Sequence, residues 1–183
     1  MKESGMRILG VDPGLTRCGV ALVEKSGNRL HLIGAEALRS PADMDHAYRL
    51  LTIHDKLKER IEQSHPDAVA VERVFAQHNR STVAGTTQVA GIAMMLAASY
   101  RIPVFTYTPS EVKAAVSGSG KADKAQVGAM VMRILKLESA LKPADAADAA
   151  ALAICHLWRG GTINRYAQAL ARITSPSVMR GKR

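Results

Sequence analysis

The first part of the chain carries three apolar runs that are separated by turn-forming residues. Residues 7–12, 19–25 and 30–38 are rich in Val, Leu and Ile, and they are interrupted by Asp-Pro-Gly at 12–14 and Ser-Gly-Asn at 26–28. Gly, Pro and Asn favour tight turns, and strands joined by such turns pair in antiparallel fashion. The pattern therefore predicts that the domain begins with three antiparallel strands.

The pattern then changes to a helical period and back to a strand. Ser40 as N-cap and Pro41 at the first helical position predict a helix that opens there, with apolar residues at helical spacing along one face. This helix must end before Pro66. The apolar run at 68–74 is predicted to be a buried strand. Because a helix connects it to the earlier strands, it should lie parallel to one of them.

The remaining segments predict four helices and one strand. These are a helix over 81–99 rich in small residues, a strand over 103–107, a helix to residue 116 opened by a capping box of Thr108 and Glu111, and helices over 122–137 and from Pro143 to the glycines at 160–161. This order predicts one α/β domain at residues 6–158. Its five-stranded mixed sheet has three antiparallel strands followed by parallel crossovers, flanked by helices.

The charge is positive and unevenly distributed. The chain has 25 Lys and Arg residues against 16 Asp and Glu, a formal net charge of +9 and a pI near 9.9. Such a surplus favours a polyanionic partner, with nucleic acid as the first candidate. Six basic residues and no acid lie in residues 159–183, a tail expected to be partly disordered, which would serve nucleic-acid binding or solubility equally well. Residues 1–5 are expected to be an N-terminal extension.

The sequence carries no signal for membrane insertion or secretion. No run approaches the roughly 18 apolar residues of a membrane span, and the N-terminus lacks the apolar core of a secretory signal. We therefore expect a cytoplasmic protein. Its two cysteines, Cys18 and Cys155, lack metal-binding spacing and are expected to pack as small apolar residues.

Four acidic residues stand at the ends or faces of apolar elements. Asp12 and Glu72 lie on predicted strands, and Asp145 and Asp148 are three residues apart on the last predicted helix. Carboxylates are costly to desolvate unless they are paired or bind cations, and α/β sheets place their sites at the carboxyl ends of strands. If the helix packs across that edge, the four carboxylates form one cluster. Such oxygen donors favour Mg²⁺ or Mn²⁺, and two ions would suit hydrolysis of a phosphodiester.

Each acid by itself also has a structural explanation. Asp145 and Asp148 would complement the positive end of their helix. Asp12 is suited to a turn before Pro-Gly, and Glu72 could pair with Arg73. Only their joint placement, two on strands and two at a helical i, i+3 spacing, favours metal chemistry.

Five ordered motifs lie between residues 8 and 152. They are Ile8-Leu-Gly-Val-Asp-Pro-Gly-Leu-Thr16, Val71-Glu-Arg-Val-Phe75, Thr108-Pro-Ser-Glu-Val-Lys113, Ser119-Gly-Lys-Ala-Asp-Lys-Ala-Gln-Val127 and Ala144-Asp-Ala-Ala-Asp-Ala-Ala-Ala-Leu152. As an ordered set they resemble the RuvC family, the bacterial Holliday junction resolvases of the ribonuclease H-like fold. The resemblance covers residue 6 to about residue 158.

The resemblance implies a homodimeric endonuclease that nicks two opposed strands of a four-way DNA junction. Its catalytic, metal-binding residues would be Asp12, Glu72, Asp145 and Asp148, with two Mg²⁺ ions for which Mn²⁺ substitutes. It also implies RuvA and RuvB as partner proteins. The small-residue face of the 81–99 helix would form the dimer interface or pack closely within the monomer.

The resemblance also implies DNA contacts. Lys113 and Lys124 match basic residues near the scissile phosphate, and Phe75 matches an aromatic residue that stacks on an unpaired base. Asn79 and Arg80 lie in a segment whose family counterparts contact the junction. By its type alone Phe75 is more simply a core residue. Lys124 has independent support, because a phosphate would relieve a cation in the first turn of a helix.

Other classes of protein remain as alternatives. The segment after Asp12 also resembles the phosphate loop of actin-like and sugar-kinase ATPases, but those folds need two such domains and leave the other three acids unexplained. Another ribonuclease H-like nuclease is a closer rival, although ribonuclease H itself is expected to carry its second acid on a helix. A junction-binding scaffold without catalysis is disfavoured by the intact acids. His156 lies roughly 16 Å along the helix from Asp145 and is not expected to bind the same ions.

Overall fold

The structure is a computed structural model that describes residues 5–74 and 80–159. Phe75, Asn79, the side chain of Arg80 and the tail beyond residue 159 lie outside the described residues, so what was predicted of them stays a prediction. The same holds for the first four residues of the N-terminal extension.

Five strands form one mixed sheet within the described ranges. They are β1 (Met6–Asp12), β2 (Arg17–Ser26), β3 (Arg29–Arg39), β4 (Ala68–Glu72) and β5 (Val104–Tyr107), in the order β3-β2-β1-β4-β5 across the sheet. The first three strands pair antiparallel, β4 pairs parallel with β1, and β5 pairs parallel with β4. The predicted sheet is confirmed, including the parallel strand reached through the first helix.

Helices cover both faces of this sheet. They are α1 (His46–Ser64), α2 (Arg80–Ser99), α3 (Pro109–Ser117), α4 (Lys124–Ile134) and α5 (Ala144–Arg159). Strand alternation divides the core: Ile8 and Ala70 pack with α3, α4 and α5, whereas Leu9 and Val71 pack with α1 and α2. Among the described helices, none combines the length and the apolar character that a membrane crossing requires.

The start of α1 differs from the prediction that Ser40 caps it and Pro41 opens it. The helix begins at His46, and the carboxylate of Asp45 caps it. Ser40 is buried, and its hydroxyl donates to the carbonyl oxygen of Leu15. A tertiary contact has therefore taken the side chain that would have capped a helix, because a serine hydroxyl serves either partner.

Other boundaries shift for local reasons. The helix predicted over 122–137 begins only after Asp123, which forms a capping box with Gln126, and it ends at Ile134. The strand predicted over 68–74 ends two residues earlier, at Glu72. The capping box of Thr108 and Glu111 is confirmed. Both cysteines are buried free thiols, as predicted.

Candidate metal centre

Asp12 and Glu72 end two neighbouring strands at the same edge of the sheet. β1 and β4 pair in parallel register up to Val11 opposite Val71, and the two acids follow directly. Since alternate residues of a strand share a face, both acids lie on the face of Ile8 and Ala68, which α5 covers. The adjacency of β1 and β4 is thus what brings these two carboxylates side by side.

Two glycines of the sheet allow the backbone of α5 to pack directly against the backbone of the strands. A Cβ built on Gly10 of β1 would lie 1.9 Å from the carbonyl oxygen of Ala149, and one built on Gly19 of β2 would lie 2.0 Å from that of Asp145. No real side chain fits at such a distance, so any other residue at either position would push the helix away. The two glycines therefore fix how close α5, and the acids it carries, come to the strand ends.

The four acids line two clefts that share Asp12. The first, here called the lysine cleft, has a volume of about 220 Å³ and is lined by three acids and two lysines among other residues: Asp12, Glu72, Asp148, Lys113 and Lys124. The second, here called the arginine cleft, has a volume of about 400 Å³ and is lined by Asp12, Asp145, Arg17 and Arg49 among others. The structure thus brings all four predicted acids to one region, with Asp12 in the middle.

Burial, and after it the crowding of these carboxylates, opposes the ionisation of Asp12 and Glu72. Burial raises the pKa of Asp12 to about 8, and the charges of the other three acids add to the rise. Burial and then the charge of Asp148 raise the pKa of Glu72, against the lowering effect of Lys124 and Lys113. A bound cation would remove this repulsion, so the cluster has the electrostatic character of a metal site.

Two basic side chains neutralise part of the cluster. Lys124 Nζ donates to Asp148 Oδ2 at 2.9 Å, and Arg17 Nε lies 3.3 Å from Asp145 Oδ2. Among the residues that the structure describes, no three Asp, Glu, His or Cys side chains form a ready-made cage for one ion. The donor set fits hard divalent cations, which prefer carboxylate oxygens. Full ligation from α5 requires its two aspartates to exchange their ion pairs for the metal.

Lys113 and Lys124 are the predicted DNA-contacting residues whose side chains the structure describes, and both face the lysine cleft. Lys113 is partly buried on α3, and Lys124 is the first residue of α4, with a side chain that is 78% exposed. The hydrogen bond to Asp148 raises the pKa of Lys124, which keeps it charged. Since the helix dipole opposes a cation at this end, an anion beside Lys124 stabilises it.

The loop between β1 and β2 is braced by contacts that the sequence analysis did not identify. Arg49 of α1 donates from Nη2 to Thr16 Oγ1 at 2.7 Å and from Nε to Ser40 Oγ at 3.2 Å, and Ser40 in turn holds the carbonyl oxygen of Leu15. On the other side, a Cβ on Gly85 of α2 would lie 3.1 Å from the Leu15 side chain. The loop that follows the first carboxylate is therefore held from two sides.

His156 is a core residue of α5. Its Nδ1 lies 2.8 Å from the hydroxyl of Tyr107, and its ring packs on Phe105 with centroids 4.3 Å apart. Burial lowers the pKa of His156 to about 4, so the ring is neutral near pH 7. The expectation that it stands apart from the acidic cluster agrees with these contacts.

The sheet order and the acidic edge at β1 and β4, covered by α5, define a ribonuclease H-like α/β protein. The family model described as Crossover junction endodeoxyribonuclease RuvC matches residues 8–156. The chain therefore belongs to the RuvC family, as its motifs indicated.

Individual relatives agree with this assignment. The crossover junction endodeoxyribonuclease RuvC of Cutibacterium acnes is 65% identical over 166 residues, which cover 90% of this chain and 85% of the relative. The structure of Thermus thermophilus RuvC in complex with Holliday junction substrate matches with a TM-score of 0.79 and 32% identity, over 86% of this chain and 97% of that one. The yeast mitochondrial Holliday junction resolvase Ydc2, at 11% identity and a TM-score of 0.62 over 93% of this chain and 87% of its own, shares the fold alone.

Proposed function

We propose that this protein is a structure-specific endonuclease that resolves four-way DNA junctions by paired symmetric nicks, in homologous recombination and DNA repair. The observation that carries this proposal is the gathering of four acids around Asp12, in a chain whose residues 8–156 match the RuvC family. The similar T. thermophilus protein has been solved with a Holliday junction substrate, which supports the substrate class. The formal charge of +9 suits a polyanionic partner.

The four carboxylates would hold the metal ions on which nucleases of this family depend. Oxygen donors of this kind favour Mg²⁺, two ions per site, with Mn²⁺ as a substitute. Bound ions would activate the attacking water and neutralise charge at the leaving oxygen. The raised pKa of Asp12 supports this role, because burial and the charges of the other acids both oppose its ionisation, and a bound cation favours the ionised carboxylate.

The other residues of the site bind and orient the DNA strand. Lys113 and Lys124 face the lysine cleft, which takes the scissile phosphate, and Lys124 exchanges Asp148 for a phosphate oxygen. Phe75, Asn79 and Arg80 follow β4 in the sequence and contact the bases around the crossover. In-line attack of water on phosphorus breaks the bond to the 3′ oxygen, which leaves 5′-phosphate and 3′-hydroxyl ends.

A homodimer matches this substrate, because a symmetric junction presents two equivalent strands. The small residues Ala90, Ala93 and Ala97 of α2 are buried in the monomer core, so they are poor candidates for the interface. The exposed apolar side chains of the α1–α2 pair are better ones: Tyr48, Leu51, Met94 and Met95. RuvA and RuvB remain partners that the family resemblance implies, and the cytoplasm remains the expected compartment.

The experiment that tests this proposal assays the purified full chain with Mg²⁺ on three substrates: a synthetic four-way junction, a linear duplex and an RNA:DNA hybrid. We expect paired nicks in the junction alone. Asp148→Asn keeps the shape of the side chain but removes its charge, so it should lower nicking on the order of 100-fold or more. Junction binding should remain measurable, because the DNA-contacting residues are intact.

Glu138→Gln is the matched control, because Glu138 is an exposed carboxylate in the segment between α4 and α5, outside the site and the α1–α2 pair. This variant should nick at the rate of the wild type. Preference for the hybrid would instead favour a ribonuclease H-type nuclease. Binding of the junction without nicking in Mg²⁺ or Mn²⁺ would make the protein a scaffold.

A further inference from the structure

The arginine cleft flanks Asp12 on the side away from the lysines. Its walls are the β1–β2 loop, the first turn of α5, and parts of α1 and α2. Because Asp12 lines both clefts, a DNA strand whose scissile phosphate lies at Asp12 and in the lysine cleft has the arginine cleft directly beside it. The arginine cleft is therefore within reach of the neighbouring stretch of such a strand.

Arg17 is the exposed cation of this cleft. It is the first residue of β2, its side chain is 56% exposed, and its Nε lies 3.3 Å from Asp145 Oδ2. An ion pair at this distance and exposure contributes little, because water screens it and the long side chain loses freedom in making it. Arg17 is therefore free to exchange Asp145 for a stronger anion, and its planar guanidinium matches a phosphate.

The β1–β2 loop, which forms one side of the cleft around Arg17, is held in position by contacts within the protein. Arg49 donates to Thr16 Oγ1 and Ser40 Oγ, and Leu15 packs against Gly85, so the loop that forms one side of the cleft is held. A Cβ on Gly14 would lie 2.2 Å from the carbonyl oxygen of Arg17, which shows how tightly this loop folds. A preformed cleft binds at a lower entropic cost than one that must be assembled.

The charge of the cleft depends on what the acids bind. Arg17 and Arg49 contribute two positive charges, and Asp12 and Asp145 contribute at most two negative ones, so the four side chains sum to about zero when all are ionised. Divalent cations on the carboxylates would reverse this balance and leave Arg17 without its partner. The cleft then becomes positive, and a phosphate is the complementary ligand.

We propose that the arginine cleft binds the backbone phosphate adjoining the scissile one on the same strand, with Arg17 moving from Asp145 to that phosphate when the metal site fills. This inference rests on the proposed nuclease function and adds to it a second phosphate site. Arg17 acts here as a phosphate-binding residue, and Arg49 as a positioning residue for the loop.

The test measures junction binding with Ca²⁺ in place of Mg²⁺, so that affinity is measured without turnover. The proteins are the wild type, Arg17→Ala, Arg17→Lys and the control Arg29→Ala. Arg29 is exposed at the start of β3, and its cross-strand partner is Ser26 at the far end of β2. The junctions carry either normal phosphates or one uncharged methylphosphonate, on the 5′ or the 3′ side of the scissile position.

We expect Arg17→Ala to weaken binding about 3- to 10-fold and to lower the salt dependence by about one phosphate contact, whereas Arg29→Ala has no effect. Arg17→Lys should recover part of the loss. One of the two methylphosphonates should weaken binding by the wild type but not by Arg17→Ala, since two changes that remove the same contact are not additive. Melting curves of the variants check that each is folded.

If Arg17→Ala binds the junction as tightly as the wild type, the inference is overturned and Arg17 is only a counter-ion of Asp145. This conclusion holds even if the variant binds Mg²⁺ more tightly. Equal effects of each methylphosphonate on wild type and variant would also overturn it. If Arg17→Ala does not fold, the measurements on the wild type decide the question. If neither methylphosphonate lowers the junction affinity of the wild type, the second phosphate site is refuted. A wild type that neither binds nor nicks the junction would instead refute the proposed function.

Discussion

The α-carbon of Gly19 lies against the carbonyl oxygen of Asp145, so closely that a Cβ at Gly19 would be 2.0 Å from that oxygen. This contact joins β2 to the first turn of α5, which carries Asp145, and Asp148 follows three residues later on the same helix. The position of these acids therefore depends on a strand that carries none of the four. A small substitution on β2 should therefore alter the metal centre even though no acidic residue is replaced.

Gly19→Ala tests this dependence. The added methyl group must displace the start of α5, and overpacking of this kind costs about 1–3 kcal/mol of unfolding free energy. We expect a lower melting temperature and a loss of nicking that exceeds what the stability loss explains. Gly34→Ala is the matched control, because a Cβ there meets nothing within 4 Å. Wild-type nicking by Gly19→Ala would contradict the prediction.

The stability of the metal-free protein should depend on pH through Asp12. Its pKa is raised to about 8 in the folded protein, from an ordinary value of 3.8. Between these values the folded state holds a proton that the unfolded state has lost, so the free energy of unfolding falls as the pH rises from about 4 to about 8. Asp12→Asn removes this titration. Glu72, whose pKa burial also raises, keeps part of the slope in the variant.

In EDTA at pH 8.5, we therefore expect Asp12→Asn to melt at least about 2–4 °C above the wild type, the shift that 1 kcal/mol produces in a chain of this size. The difference should be much smaller at pH 5, where only the first part of this fall has occurred, and it should vanish below about pH 3.8, where the carboxyl of the unfolded state is protonated as well. Glu138→Gln, a change at an exposed carboxylate outside the cluster, should follow the wild type at each pH. Equal melting of Asp12→Asn and wild type at pH 8.5 would show that the cluster is not strained by its own charge.

The dimer interface can be tested on two exposed apolar side chains of similar accessibility. Met95 on α2 is 56% exposed and Ile33 on β3 is 53% exposed. If the α1–α2 pair forms the interface, Met95→Glu places a charge in it, and sedimentation should shift from dimer to monomer. Nicks should then fall singly on the junction. Ile33→Glu should remain dimeric, and the reverse outcome would place the interface elsewhere.

Features that depend on local rules could be predicted from the sequence. Strand alternation and turn residues were sufficient for the β1–β3 meander and for placing Asp12 and Glu72 on strands, whereas the pairing of β1 with β4 became known only from the fold. The capping box of Thr108 and Glu111 was equally readable, because both partners lie within one turn. The motifs then identified the family, which periodicity alone could not do.

Features that depend on distant partners could not be predicted. Serine is a residue type that favours helix N-caps, yet the hydroxyl of Ser40 donates to the carbonyl oxygen of Leu15, 25 positions earlier in the chain. Arg49 reaches Thr16 over 33 positions, and the pairing of Arg17 with Asp145 joins the two ends of the domain. Such contacts depend on how the helices and loops pack against the sheet, and the spacing of residues along the sequence does not specify this packing. The braced loop and the arginine cleft therefore became visible only in the fold.

The seating of α5 has a consequence for how this domain tolerates change. Gly10 and Gly19 meet main-chain oxygens of the helix, so the depth of the helix is set by atoms that every amino acid shares. Substitutions among the surrounding aliphatic side chains, such as Leu152 or Ile154, can then be absorbed by local repacking. Volume-conserving changes in this interior can therefore leave the positions of Asp145 and Asp148, and with them the metal centre, unchanged.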